Sequence, residues 1–147
     1  MIRLAAAADV DRIVSMGLRF ISESAYRGHL VPDRASSTQF VARLVDGAYG
    51  TASAVLVAGD DVALVGMLGL FCFPHPFSGA LVATETFWWV DPAHRGRDGI
   101  RLLEAGLAWA VAHDATAIFM IAPNAKVARF YERRGFVAVE TSYVRAL

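Results

Sequence analysis

Residues 88–103 read Trp-Trp-Val-Asp-Pro-Ala-His-Arg-Gly-Arg-Asp-Gly-Ile-Arg-Leu-Leu, and this stretch restricts the fold more than any other. The β-rich run Leu81 to Val90 is ended by Asp91-Pro92. The chain then turns through two glycines and three arginines into a helical pattern, with Ile100, Leu103, Leu107, Ala110 and Val111 on one stripe up to His113-Asp114. The apolar run Ala117 to Ile121 follows, as a buried parallel strand requires. Strand, crossover helix and strand in this order make the two strands parallel neighbours or near neighbours with a right-handed connection. An α/β fold is predicted.

Upstream, Ile2 to Leu4 reads as a short strand. Asp9 stands where it can cap a helix carrying Val10, Ile13, Val14, Gly17, Phe20 and Ile21 at helical spacing. A loop from Ser24 to Pro32 precedes a second helix with Phe40, Val41, Leu44 and Val45 on one face and Gly47 as its stop. Thr51 to Ala58 and Val62 to Phe73 are strands joined by the turn Gly59-Asp60-Asp61; Pro74 to Gly79 breaks the second, and Leu81 to Val90 completes an antiparallel meander. Downstream, Pro123-Asn124 leads into a helix from Ala125 to Arg134, Gly135 stops it, and Phe136 to Val144 reads as a last strand. With no repeat, low-complexity tract or linker, residues 1–147 are expected to form a single domain.

Composition narrows the function classes. A chain of 147 residues that is 56% hydrophobic can bury one core and is not a disordered segment. Fourteen basic against fourteen acidic residues give no global drive toward nucleic acid. The balance is uneven: residues 1–90 carry six basic and eight acidic side chains, residues 91–147 eight and six. The lone Cys72 lies in the apolar run Leu70 to Phe73, which reads as a buried, inert thiol in a reducing, cytoplasmic setting. There is no secretory leader pattern, and no apolar run long enough to span a bilayer, so no membrane partner is expected. His29, His75, His94 and His113 are scattered without ligand spacing, and no metal is assigned.

The turn at 91–100 is an anion cradle by its chemistry. Helix N-termini present unpaired N–H groups and the positive end of the macrodipole. Gly96 and Gly99 allow close backbone approach, and Arg95, Arg97 and Arg101 add charge. Neither G-x-x-x-x-G-K-[ST] nor G-x-G-x-x-G occurs, which points away from nucleoside triphosphates and dinucleotides and toward another phosphate-bearing ligand.

At this point the residues resemble a family. Val90-Asp-Pro-Ala-His-Arg-Gly-Arg-Asp-Gly-Ile-Arg-Leu-Leu is similar to the acyl-CoA-binding motif of the GNAT superfamily of N-acetyltransferases, in which a strand ending in V-x-P is followed by R-G-x-G-x-G and a helix with paired leucines. Asn124-Ala-Lys-Val-Ala-Arg-Phe-Tyr-Glu-Arg-Arg-Gly-Phe136 resembles the family's N-x-x-A-x-x-F-Y-x-x-x-G-F segment, and Ile2-Arg-Leu-Ala with Asp9 and Ile13 resembles its first strand and helix. One departure stands in the cradle: Asp98 occupies the place of the middle glycine, and the leucine pair arrives one residue early. Either the loop is one residue shorter, or His94 stands where the family has its arginine. Asp98 reads as an N-cap that accepts a helix N–H.

The resemblance implies a single-domain acyl-CoA N-acyltransferase fold, a mixed central sheet with a splayed parallel strand pair flanked by helices. It implies acetyl transfer from acetyl-CoA, as cosubstrate, to a primary amine by direct attack in a ternary complex, with no metal. On this resemblance Phe87 to Val90 would hold the pantetheine arm, with Trp89 and Val90 at its reacting end and a main-chain N–H near Val90 at the thioester oxygen. Arg95, Gly96, Arg97, Gly99 and Ile100 would meet the phosphates, and Asn124 would bond the pantetheine amide or cap the last helix. Glu85 matches the position of a general base and Tyr131 that of the acid for the departing thiolate. Ser24 and Tyr26 lie where acceptor recognition is expected.

Strict alternation would put Glu85, Phe87 and Trp89 on one face, and Thr84, Thr86, Trp88 and Val90 on the other. A strand glutamate facing water or pairing with an arginine, and a tyrosine ring packed on the core, are the structural alternatives for Glu85 and Tyr131. A non-catalytic CoA-binding or regulatory module that keeps the fold is the functional alternative. The expected acceptor is a small-molecule amine or a peptide, and a homodimer formed through strand edges or the last strand is compatible with the pattern.

Overall fold

A computed structural model of the chain describes residues 1–49, 52–60 and 62–147. The elements run β1 (Ile2–Leu4), α1 (Val10–Glu23), α2 (Arg34–Asp46), β2 (Ser53–Gly59), β3 (Leu64–Pro74), β4 (Leu81–Val90), α3 (Arg97–Ala112), β5 (Ala117–Phe119) and α4 (Ala125–Glu132), with short 3-10 turns at Ala7–Asp9 and Pro92–His94. The strands lie in the order β1-β2-β3-β4-β5; β1 to β4 are antiparallel, and β5 runs parallel to β4 through the pairs Val82–Ala117, Ala83–Ile118 and Thr84–Phe119. The predicted meander and crossover are both present. Thr51 and Asp61, at the predicted start of one strand and in the hairpin turn, lie outside the described residues.

The sheet has a core on each face. α3 covers one, packing Leu102, Trp109 and Ala110 on Leu56, Leu68, Leu70 and Cys72. α1 and α2 cover the other, packing Ile13, Val14, Val41 and Leu44 on Val55, Val57, Met67 and Trp89. Cys72 is fully buried, as read from its apolar run. Adjacent strand residues face opposite ways, so Trp88 belongs to the α3 face and Trp89 to the α1/α2 face. α3 lies so close to the sheet at Gly106 that a Cβ there would stand 2.7 Å from Leu68 Cδ2. Its small size, not its flexibility, is what this position uses.

The local chemistry corrects three expectations. Asp9 does not cap α1. Its carboxylate turns back to accept the Ala6 N–H (2.9 Å) and a two-pronged contact from Arg3 (2.6 and 3.0 Å). Asp9 is 3% exposed, and the Arg3 bond, opposed by burial, holds its carboxyl down at about 2. Asp98 does not cap α3: the cap position is Gly96, in a left-handed conformation (φ 107°), and Asp98 lies inside the first turn with its carboxylate 3.6 Å from His94 Nδ1. Phe136 to Val144 form no strand. Among the described residues no ladder pairs with this segment, and Val137, Val139, Tyr143 and Val144 stay exposed despite their alternation, which needs a neighbouring strand to have effect. Other boundaries shift by a few residues: α3 starts at Arg97, β5 stops at Phe119, and α4 ends at Glu132, before Gly135 (φ 82°).

Candidate active site

The site is built where β4 and β5 part. Their ladder stops at Thr84–Phe119, yet β4 continues to Val90. At this point β4 carries a bulge: Glu85 pairs with Leu70 and Phe87 with Gly69, leaving Thr86 as the extra residue. Gly69 makes room for it, since a Cβ there would lie 2.4 Å from Thr86 Oγ1. The bulge overturns the alternation expected from sequence. Glu85 follows Ala83 onto the α3 face, which Trp88 and Val90 share, while Phe87 and Trp89 pack toward α1 and α2.

Glu85 therefore projects into the opening gap. Beyond the last ladder pair its carboxylate replaces backbone pairing: Oε2 accepts the Ile121 N–H at 3.0 Å. The same residue's carbonyl accepts the Tyr131 hydroxyl at 3.4 Å, so Glu85 and Tyr131 converge on Ile121 from two elements. Glu85 is half-buried; loss of water pushes its carboxyl up to about 7, with the Ile121 bond acting against the rise. Burial, and secondarily the Glu85 charge, raises the Tyr131 phenol as well. The Tyr131 ring packs against Trp88 at 5.9 Å between ring centroids and Phe136 at 5.0 Å. Asn124 Oδ1 caps α4, accepting from the Lys126 and Val127 N–H groups at 3.0 and 3.1 Å, which leaves its amide NH2 available.

The far half of β4 offers backbone to the gap. Asp91 N–H bonds the Val65 carbonyl (2.8 Å), so Val65 and Asp91 form a hydrogen-bonded pair. In an antiparallel ladder such pairs alternate, and the Val90–Gly66 and Trp88–Leu68 pairs are then of the other kind. The N–H groups of Trp88 and Val90 face away from β3, toward the side β5 has left. Two buried polar atoms on this stretch, Thr86 Oγ1 and Trp88 Nε1, have no hydrogen-bond partner among the described residues.

At the end of β4 the chain turns through Gly96 into α3. The first helical bond of α3 runs from Ile100 N–H to the Gly96 carbonyl (2.9 Å), so the Arg97, Asp98 and Gly99 N–H groups have no partner within the helix. Gly99 is buried, and Arg97 and Arg101 are exposed. Arg95 behaves differently from its neighbours: it bonds the Val90 carbonyl through Nε (3.0 Å) and Glu23 through Nη2 (3.3 Å). Ser24 and Tyr26 sit beyond the end of α1; Ser24 Oγ bonds the Ile21 carbonyl (3.2 Å) and the Tyr26 ring meets Phe20 edge-on at 6.0 Å. Two surface cavities of about 180 and 220 Å3 lie elsewhere, against α2 and between β1 and Trp109, and neither includes Glu85 or the start of α3. The site is a slot between strands rather than a rounded pocket.

Sequence reasoning missed the bulge at Thr86, the role of Ile121 and the use of Glu23. Gly66 and Gly69 within β3 were the available signal for the bulge, because a glycine inside a strand marks a close approach or an irregular ladder. Among the described residues no group of three or more His, Cys, Asp or Glu could hold a metal ion, and no helix is long and apolar enough to cross a membrane.

A mixed sheet whose one parallel pair among the described residues separates ahead of a glycine-opened helix defines an acyl-CoA N-acyltransferase fold. The sequence model of the Acetyltransferase (GNAT) family matches residues 21–136, and the chain belongs to this family. Solved structures agree in fold. Ribosomal-protein-alanine N-acetyltransferase from Brucella melitensis biovar Abortus 2308 is 21% identical with TM-score 0.71, over 100% of this chain and 99% of that one. A transcriptional regulator from Bacillus halodurans C-125 is 21% identical with TM-score 0.77, over 100% and 99%. An aminoglycoside acetyltransferase from an uncultured soil metagenomic sample is 19% identical with TM-score 0.70, over 100% and 97%. No curated protein sequence matches the chain significantly.

Proposed function

We propose that the chain transfers the acetyl group of acetyl-CoA to a primary amine, on a small molecule or a peptide, by direct attack with both substrates bound. The observation that carries this reading is the convergence of Glu85 and Tyr131 on Ile121 at the point where β4 and β5 part. Acetyl-CoA supplies an activated acyl group on a thiol leaving group. The slot suits its arm: the Trp88 and Val90 N–H groups, the unpartnered Trp88 Nε1 and the Asn124 amide are polar groups on the elements that border it. Gly96, Gly99 and Ile100 at the α3 N-terminus, with Arg97, form the phosphate end.

Glu85 receives the proton that the attacking amine must lose, a task matched to a carboxyl pushed up to about 7. A backbone N–H of Trp88 or Val90 stabilises negative charge building on the acyl oxygen. Tyr131 donates its proton to the departing sulfur. The balance closes: a C–N bond forms, the C–S bond breaks, the amine's proton passes to Glu85, and the proton Tyr131 gives to sulfur is replaced by the one that Glu85 releases to solvent. Ser24 and Tyr26 border the acceptor side. The test is a thiol-release assay with acetyl-CoA over a diverse amine panel, expected to show turnover with at least one amine class and its loss in Glu85→Gln. Stabilisation by acetyl-CoA without turnover across the panel would favour a non-catalytic CoA-binding module instead.

A further inference from the structure

We infer that Glu23 is a positioning residue for the acyl-CoA loop, and that Arg95 acts through Glu23 rather than on the phosphates; this rests on the acetyl-CoA reading above. Glu23, on the last turn of α1, gathers three groups. Its Oε2 accepts the indole N–H of Trp89 (3.1 Å) and the Arg95 guanidinium (3.3 Å), while Oε1 lies 3.7 Å from Arg19 Nη2. Arg19 closes the ring of contacts, pairing with Asp91 at 3.2 Å and lying over the Trp89 ring at 4.7 Å. Arg95 is bound on both sides, with Nε on the Val90 carbonyl (3.0 Å) and Nη2 on Glu23.

Direction decides the role. α1 and Trp89 belong to one face of the sheet, and α3, whose N-terminus forms the cradle, belongs to the other. The Arg95 side chain turns toward α1, while Arg97 and Arg101 lie on α3 and stay exposed. Arg97 and Arg101 then carry the phosphate charge, and the Glu23–Arg95 pair pins the segment between Val90 and Gly96, so that the free N–H groups of the first α3 turn are held in register with the end of β4. Because Glu23 immediately precedes Ser24, the same pair fixes the start of the acceptor-side loop against β4.

The test is a double-mutant cycle on acetyl-CoA affinity, measured by titration calorimetry, with melting temperature confirming that each variant folds. Glu23→Gln and Arg95→Gln should each weaken acetyl-CoA binding about two- to five-fold, the range of a partly exposed ion pair, and the double variant should be no weaker than the poorer single one. Arg97→Gln should weaken binding by the same factor in the wild-type and Glu23→Gln backgrounds. An Arg95→Gln effect of the same size in both backgrounds would make Arg95 a direct phosphate ligand and overturn the inference, as would unchanged affinity in Glu23→Gln. A wild-type chain that does not bind acetyl-CoA overturns this inference together with the acetyltransferase reading, whereas additive effects in a binding-competent chain overturn this inference alone.

Discussion

Replacing Glu85 by Gln separates the two consequences of burying this carboxyl. Burial raises its pKa from an ordinary 4.5 to about 7, so the folded protein holds the proton more tightly than the unfolded chain does. The stabilisation is then fully present below pH 4.5 and is lost as pH rises through about 7. The shift corresponds to at most about 3.4 kcal/mol, and partial solvent access brings the expected value nearer 1–2 kcal/mol. Glutamine keeps an oxygen for the Ile121 N–H and carries no charge to desolvate. Glu85→Gln should therefore melt about 3–8 °C above wild type at pH 8 and show little difference near pH 4, read by calorimetry across pH. With a competent amine, the same variant should lose about 10²–10⁴-fold in turnover, together with the limb of the pH–rate profile that rises through about 7. A variant that is no more stable at pH 8 would refute the desolvation argument; one that keeps wild-type turnover would refute the base.

Three further outcomes follow from particular contacts. Tyr131→Phe removes a hydroxyl bonded only at 3.4 Å, so stability should change by less than about 1 kcal/mol in urea unfolding while thiol release slows about ten-fold. Asp9→Asn should lower stability by about 1–2 kcal/mol at pH 6, and the difference should vanish as pH falls from about 4 to about 2, because a depressed carboxyl stabilises only while ionised; acid titration followed by circular dichroism measures it. Gly106→Ala places a methyl 2.7 Å from Leu68 and should cost about 1–2 kcal/mol by the same urea measurement, despite the better helix propensity of alanine.

The elements of this fold were legible because each carries its own period or punctuation. Gly47 closes α2 at φ 70°, as a glycine at that place suggests, and the α3 stripe predicts a helix that buries Leu103 and Ala110. What was not legible depends on partners outside each element's own pattern. Asp9 has the position of a helix cap, yet Arg3, delivered by β1, offers it a charged fork at bonding distance. Asp98 has the chemistry of a cap, but Gly96 alone takes the left-handed turn the loop needs there. Phe136 to Val144 have the alternation of a strand without a ladder to join. At the site, Glu85 and Tyr131 could be picked out by family likeness, while the face on which Glu85 lies depends on Gly69 in another strand. Arg95 shows the same limit in reverse: its place in the motif was readable, and its partner on α1 was not.

The extra residue at Thr86 sets a phase boundary in β4. Before it, odd-numbered positions face α3; after it, even-numbered ones do. A combinatorial library along this strand would therefore have to be divided there, with the codons for the α3 face and for the α1/α2 face exchanged from one side to the other. Removing Thr86 would leave Glu85 opposite Leu70 and Phe87 opposite Gly69, so each half of the strand would keep its faces and lose only the local bend. A ladder made regular with Thr86 kept in it is the change this strand can least accommodate, because it would turn either Glu85 from the slot or Trp88 from its place beside Tyr131.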